Sequence, residues 1–231
     1  ATKGIEEEGC LLMSQILENE TKGHDIGVIS GPNLAQEISL NHLTGTVIAS
    51  KSRVLQDECI KVFSSDSFRL YTNDDPYGVE LGGALKNIYA IACGIADGLD
   101  SGENTIGMIM TRGLAEMSRF AVNQGADPMT FLGLSGVGDL ITTCASPLSR
   151  NHALGKLIGK GLTIDEAQQE IGQTTEGLKT LKVVWVKAKE EGIEMPIVNS
   201  LYKIIYGKES LEGSIVKVLG TDQPKDVEFS R

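Results

Sequence analysis

The chain has 231 residues, 41% of them hydrophobic and 23% charged, which is enough apolar material for the core of a globular protein. Thirty-one acidic residues against 21 basic ones give a net charge of -10, a surface that repels phosphate backbones and excludes general nucleic-acid binding as a function. Cys10, Cys59, Cys93 and Cys144 form no Cys-x-x-Cys pair, and His24, His42 and His152 are isolated, so neither a disulfide framework, a zinc site nor any other metal centre is expected. With no secretory signal and no charge-free apolar run of membrane-spanning length, the expected location is the cytoplasm.

Ala1-Thr-Lys-Gly-Ile5 reads as the end of a strand entering a loop, and predicts a fragment whose earlier part is missing. Leu11, Leu12, Ile16 and Leu17 share one face of a helix expected over 9–20. A strand over 26–30 stops at Gly31-Pro32, and 46–49 is a second strand. Ser52 is placed to cap a helix carrying Val54, Leu55, Cys59, Ile60 and Phe63. A third strand over 68–72 is broken by Asn73-Asp-Asp-Pro76. Alternating strands and helices predict part of a βαβ-type sheet.

Beyond Pro76 the pattern is helical throughout. The stretch 78–99 is almost wholly small and aliphatic, interrupted by Lys86 and Asn87. Packed as a helix, it leaves the Lys86 ammonium either desolvated, with a lowered pKa useful for moving protons, or snorkelling to solvent from one edge. Ser101-Gly-Glu-Asn104 is a turn. Ile106, Met110, Leu114, Met117 and Phe120 then recur at helical spacing. Asp127-Pro128 resembles an N-cap with proline at the first helical position, and Thr163-Ile-Asp-Glu166 fits a capping box. Leu178, Leu181, Trp185 and Ala188 form a stripe ending near Gly192. Pro196 opens a last helical stretch, and a polar tail follows Gly220.

Four glycine-containing polar segments stand out: Ser30-Gly-Pro-Asn33, Gly136-Val-Gly-Asp139, Ser146–Asn151 and Gly172–Gly177. Each is also readable as an ordinary connection. Ser149-Arg150-Asn151 sits at a helix entrance, where unpaired N–H groups and an arginine fork suit an anion; the competing reading makes Ser149 a cap and Arg150 a surface charge. Asp139, between Gly138 and Leu140-Ile141, either turns inward toward Lys86 or caps a turn. There is no Gly-x-Gly-x-x-Gly fingerprint, hence no motif of its own for a dinucleotide.

On ATKGIE at 1–6, ISGPNLAQE at 29–37, SFRLYTNDDPYGVELGGALKNIYAIACGIADGL at 67–99, TRGLAEMSR at 111–119, GLSGVGDLITTCASPLSRN at 133–151, IGQTTEG at 171–177 and EMPI at 194–197, the chain resembles the bacterial type of NAD(P)-dependent glycerol-3-phosphate dehydrogenase. The resemblance implies the end of a Rossmann-type sheet over 1–75, an all-α substrate domain over 76–220 of the 6-phosphogluconate dehydrogenase C-terminal kind, and a tail over 221–231. It implies hydride exchange between NAD or NADP and a triose phosphate, in service of glycerophospholipid synthesis, in a possible homodimer. Lys86 would be the catalytic proton donor and acceptor. Lys3, Gly31, Asn33, Asp139, Ser149, Arg150 and Asn151 would line the substrate site with it. Lys3, Ala35, Arg150, Thr174 and Glu176 would meet the cofactor. Asn33 stands where a hydroxyl residue is expected, Thr174-Thr175 where valines are expected, and His152-Ala153 where a basic pair is expected. The rival readings are a related two-part dehydrogenase for another hydroxy acid or sugar acid, and a non-catalytic helical dimerisation module.

Overall fold

The computed structural model describes residues 3–7, 9–172 and 175–207; the polar tail expected after Gly220 and Thr174 lie outside them. A small three-stranded sheet is followed by a helical assembly wrapped around one apolar helix.

The sheet runs in the order β1 (Val28–Ser30), β2 (Thr44–Ala49), β3 (Phe68–Asn73). β1 lies antiparallel to β2, with Ile29 opposite Ile48. β2 and β3 are parallel, with Val47 opposite Tyr71. The βαβ reading therefore holds for the second pair, whose crossover is α3 (Arg53–Phe63), capped by the Ser52 side chain accepting from Leu55 N–H. It does not extend to the first pair, which the short α2 (Ala35–Ser39) connects. β2 is buried almost throughout, as a central strand must be, whereas β3 alternates with solvent.

The helix expected over 9–20 is shorter: α1 spans Met13–Glu20. Cys10 has φ 55°, and Leu12 pairs in an isolated antiparallel bridge with Ile5, so 9–12 folds back on the preceding loop instead of winding. Leu11 and Leu12 thus pack from that loop and not from a helix face.

α4 (Pro76–Gly98) is the centre of the molecule, with every residue from Gly78 to Ala96 buried. Its start needs both Asp75 carboxylate oxygens: one accepts from Gly78 N–H at 2.9 Å, the other from Asp127 N–H at 3.0 Å and Thr130 Oγ1 at 2.8 Å. Pro76 occupies the first turn, where its missing N–H costs nothing. By length and composition α4 could cross a membrane, but 94% of that window is buried inside the fold, which is the pattern of a core helix.

Around it stand α5 (Glu103–Asn123), a 3-10 turn at Pro128–Leu132, a π-type turn at Leu134–Gly138, α6 (Asp139–Ala145), α7 (Arg150–Gly159), α8 (Ile164–Ile171), α9 (Glu176–Glu191) and α10 (Pro196–Gly207). The Thr163–Glu166 capping box forms as read, and α9 ends at Gly192 in the left-handed conformation. α5 starts inside the expected 101–104 turn, because Gly102 at φ 82° turns the chain within two residues.

Candidate functional site

Lys86 lies on the buried inner stretch of α4 and is only 6% exposed, so it does not snorkel. Its ammonium donates to Asp139 Oδ1 in a short contact and to Thr143 Oγ1 at 2.8 Å. Asp139 is the first residue of α6 and Thr143 lies one turn on, so both face α4 from the same side. The π-type turn delivers them. A side chain at Gly136 would collide with the backbone of Phe131, while Leu134 packs on the sheet core of Val47, Ala49 and Val79. Asp139 is therefore drawn inward by both layers of the fold.

The other Asp139 oxygen accepts from Lys3 Nζ at 3.0 Å. One buried carboxylate thus serves two ammonium groups. Burial pushes the Lys86 pKa down to about 8; Asp139 opposes that shift and the Lys3 charge adds to it.

These groups border a cavity of about 550 Å³ lined by Lys3, Asn33, Ala35, Lys86, Ser149, Arg150, Asn151 and Glu176 among others. Three cations and one carboxylate in that wall make a positive pocket inside an acidic chain. Ser149 caps α7 by accepting from His152 N–H at 3.3 Å, and Arg150 and Asn151 open the helix. Asn151 Oδ1 accepts from Gly177 N–H at 3.1 Å, pinning the start of α9, and with it Glu176, to α7. Asn33 donates through Nδ2 to Thr46 Oγ1 at 2.8 Å, and its buried Oδ1 has no partner.

Of the residues expected at the site, Gly31 stands apart from the cavity wall: at φ 152° it packs on β2, where a Cβ would sit 3.1 Å from Thr46 Cα. Asp139 stands behind the wall and reaches the cavity through Lys86. His152 turns away, its Nε2 3.0 Å from Asp97, which also pairs with Lys156. Sequence reasoning missed Thr143 and assigned nothing to Asn87, though both line the cavity. The spacing of Thr143 four residues after Asp139, and the adjacency of Asn87 to Lys86, were the available signals.

The structure superposes on glycerol-3-phosphate dehydrogenase from Coxiella burnetii with a TM-score of 0.91 at 38% identity, covering 95% of this chain and 67% of that one. It superposes on the Saccharomyces cerevisiae enzyme with a TM-score of 0.85 at 28% identity, covering 95% and 66%. A sheet end followed by helices, with a buried lysine between them, defines the two-part class of NAD(P)-dependent dehydrogenases. Profiles described as the N-terminus and C-terminus of NAD-dependent glycerol-3-phosphate dehydrogenase match residues 1–56 and 75–216. The chain is 52% identical over 228 residues to glycerol-3-phosphate dehydrogenase (NAD(P)+) of Pseudomonas syringae pv. syringae, covering 99% of this chain and 67% of the relative. It is 51% identical over 232 residues to that of Saccharophagus degradans, covering 99% and 64%. The chain belongs to the NAD-dependent glycerol-3-phosphate dehydrogenase family and spans about two thirds of the length of these relatives.

Proposed function

We propose that this site interconverts dihydroxyacetone phosphate and sn-glycerol 3-phosphate with NAD or NADP. The observation that carries the reading is the buried Lys86–Asp139 pair opening onto a cation-walled cavity. In the reducing direction the Lys86 ammonium gives a proton to the C2 oxygen; in the oxidising direction the neutral amine takes it back. A pKa of about 8 keeps both forms populated near neutral pH. Asp139 and Thr143 hold the amine at one point in either form. Lys3, Arg150 and the first turn of α7 receive the phosphate, and the amide of Asn33, its oxygen unpaired, meets a substrate hydroxyl.

The nicotinamide cofactor, when bound, supplies or accepts the hydride at C2. Ala35 adds no bulk to the cavity wall, Glu176 borders it, and the neighbouring Thr175 hydroxyl is buried without a partner. These residues fit the nicotinamide end. The pyrophosphate fingerprint is not in this sequence.

On this reading residues 1–75 complete the nucleotide-binding domain and 76–220 form the substrate domain. The family resemblance further supports a cytoplasmic homodimer that supplies glycerophospholipid synthesis. The test is Lys86→Ala in the full-length protein, followed by nicotinamide absorbance with dihydroxyacetone phosphate. We expect kcat to fall about a hundredfold or more, the scale of a lost general acid. Near-normal turnover removes Lys86 from the chemistry. Equal kcat/KM for unphosphorylated dihydroxyacetone points instead to a dehydrogenase of another hydroxy compound.

A further inference from the structure

We propose that Glu80 is a positioning residue for the site: its buried carboxylate hooks the start of α1 onto α4 and thereby sets where the Lys3 ammonium stands against Asp139. The proposal rests on the function proposed above.

Glu80 is buried at 6% exposure, two turns before Lys86 on α4. A carboxylate there is costly unless it is used. It accepts from Ser14 N–H at 3.1 Å through Oε1 and at 3.4 Å through Oε2, and from the Ser14 hydroxyl in a short contact. The reason lies in α1. Its N-cap is Leu12, which has no side-chain acceptor for the unpaired N–H groups of the first turn. Glu80 supplies that acceptor from another helix, and its charge meets the favourable end of the α1 dipole.

What the hook holds is the loop before α1. Ile5 bridges to Leu12, Glu6 N–H donates to Leu11 C=O at 2.9 Å, and Leu12 is 1% exposed. Lys3 enters the site from that folded-back loop. Gly83, one turn beyond Glu80, leaves the space for it: a Cβ there would stand 3.6 Å from Lys3 Cε and would overlap the Ser30 hydroxyl. Glu80, Gly83 and Lys86 thus recur every third residue along α4 as hook, gap and amine.

Lys3 position matters because its charge helps to lower the Lys86 pKa. The other ionisable groups around Lys86 are Asp139 and the Cys144 thiol on α6, with Arg150 of α7 and Glu176 of α9 lining the same cavity. Glu80 itself is faced by Glu18 on α1 and by Tyr77 on its own helix, and burial raises its pKa.

The experiment is the pH profile of kcat/KM for ketone reduction in the full-length protein, for wild type, Lys3→Met, Glu80→Gln, the double variant and Ser14→Ala. Lys3→Met should move the high-pH limb upward by about half a unit or more, as loss of a neighbouring cation does. Glu80→Gln should move it the same way, and adding it to Lys3→Met should move it no further. Ser14→Ala, which removes only the hydroxyl, should give a smaller upward shift and decides the matter if Glu80→Gln does not fold. A limb that stays at its wild-type position in Glu80→Gln and Ser14→Ala while Lys3→Met moves it overturns the proposal, leaving Glu80 a cap for α1. A Lys86→Ala variant with normal turnover sinks the underlying reading of the site as well, so the two failures are told apart.

Discussion

An ammonium buried in an apolar helix survives only if something compensates its lost hydration, and at Lys86 that compensation is one carboxylate shared with Lys3. The sharing sets the proton affinity: burial and the second cation pull the Lys86 pKa down, Asp139 pulls it up, and the balance falls at about 8. Asp139→Asn removes that upward pull while leaving burial and Lys3 in place. The high-pH limb of kcat/KM for ketone reduction should then move to lower pH by about a unit or more, with kcat reduced at pH 7.5. An unmoved limb would leave Asp139 only a first-turn charge of α6. Lys86 and Asp139 were legible because each is a charge inside an apolar stretch, a local conflict that marks a site. Thr143 and Glu116 were not, because an ordinary threonine or glutamate on a helix carries no local conflict; Glu80 does lie in the same apolar stretch as Lys86, but near its start, where a carboxylate reads as a first-turn charge. Glu80 meets Ser14 66 residues away, and only the tertiary structure brings them together.

The relation between Lys86 and the Ser149–Asn151 helix start is fixed where α4 crosses α7. Gly94 and Gly98 on α4 face His152 and Lys156 backbone, while Gly155 and Gly159 on α7 face Ile91 and Ile95 backbone; a Cβ at any of the four would collide with a carbonyl oxygen. Backbone cannot move aside as a flexible side chain can. Gly155→Ala should therefore cost about 3 kcal/mol or more in urea unfolding and raise KM for the triose phosphate as the anion-binding turn shifts away from Lys86. Gly107→Ala is the control. It lies inside α5 with nothing near its Cβ position, so the change should be neutral or stabilising by up to about 1 kcal/mol. Equal losses at both positions would deny the crossing its role. Element boundaries were legible where a cap names them, as at Ser52, Asp127, Ser149 and Thr163. They were not where the chain is held by distant partners. α1 begins late because 9–12 pairs backward, and β1 runs antiparallel because the 34–43 connection turns without a crossover helix of full length.

On the scale of the molecule, an acidic chain of charge -10 gathers three of its cations at one cavity and uses buried carboxylates as joints. Glu80 joins α1 to α4, and Glu116 joins three helices: from α5 it accepts from Ile197 N–H at 2.6 Å and Val198 N–H at 3.3 Å at the start of α10, and from the Tyr89 hydroxyl of α4 at 3.2 Å. The cost of burial nonetheless exceeds the help of those donors and of the Arg119 charge, so the Glu116 pKa is raised to about 7. Since the unfolded chain titrates this group near the ordinary glutamate value of 4.5, the folded state holds the extra proton between those values. Its contribution to stability is complete below about 4.5 and is lost as pH rises through about 7, after which it is constant. Glu116→Gln removes the titration while keeping one acceptor for the α10 N–H groups. Urea denaturation of wild type and variant across pH 4.5 to 8 should show wild type losing stability relative to Glu116→Gln as pH rises to about 7, then running parallel to it. Curves that stay parallel over the whole range would mean that Glu116 is ionised throughout and that its three donors outweigh its burial.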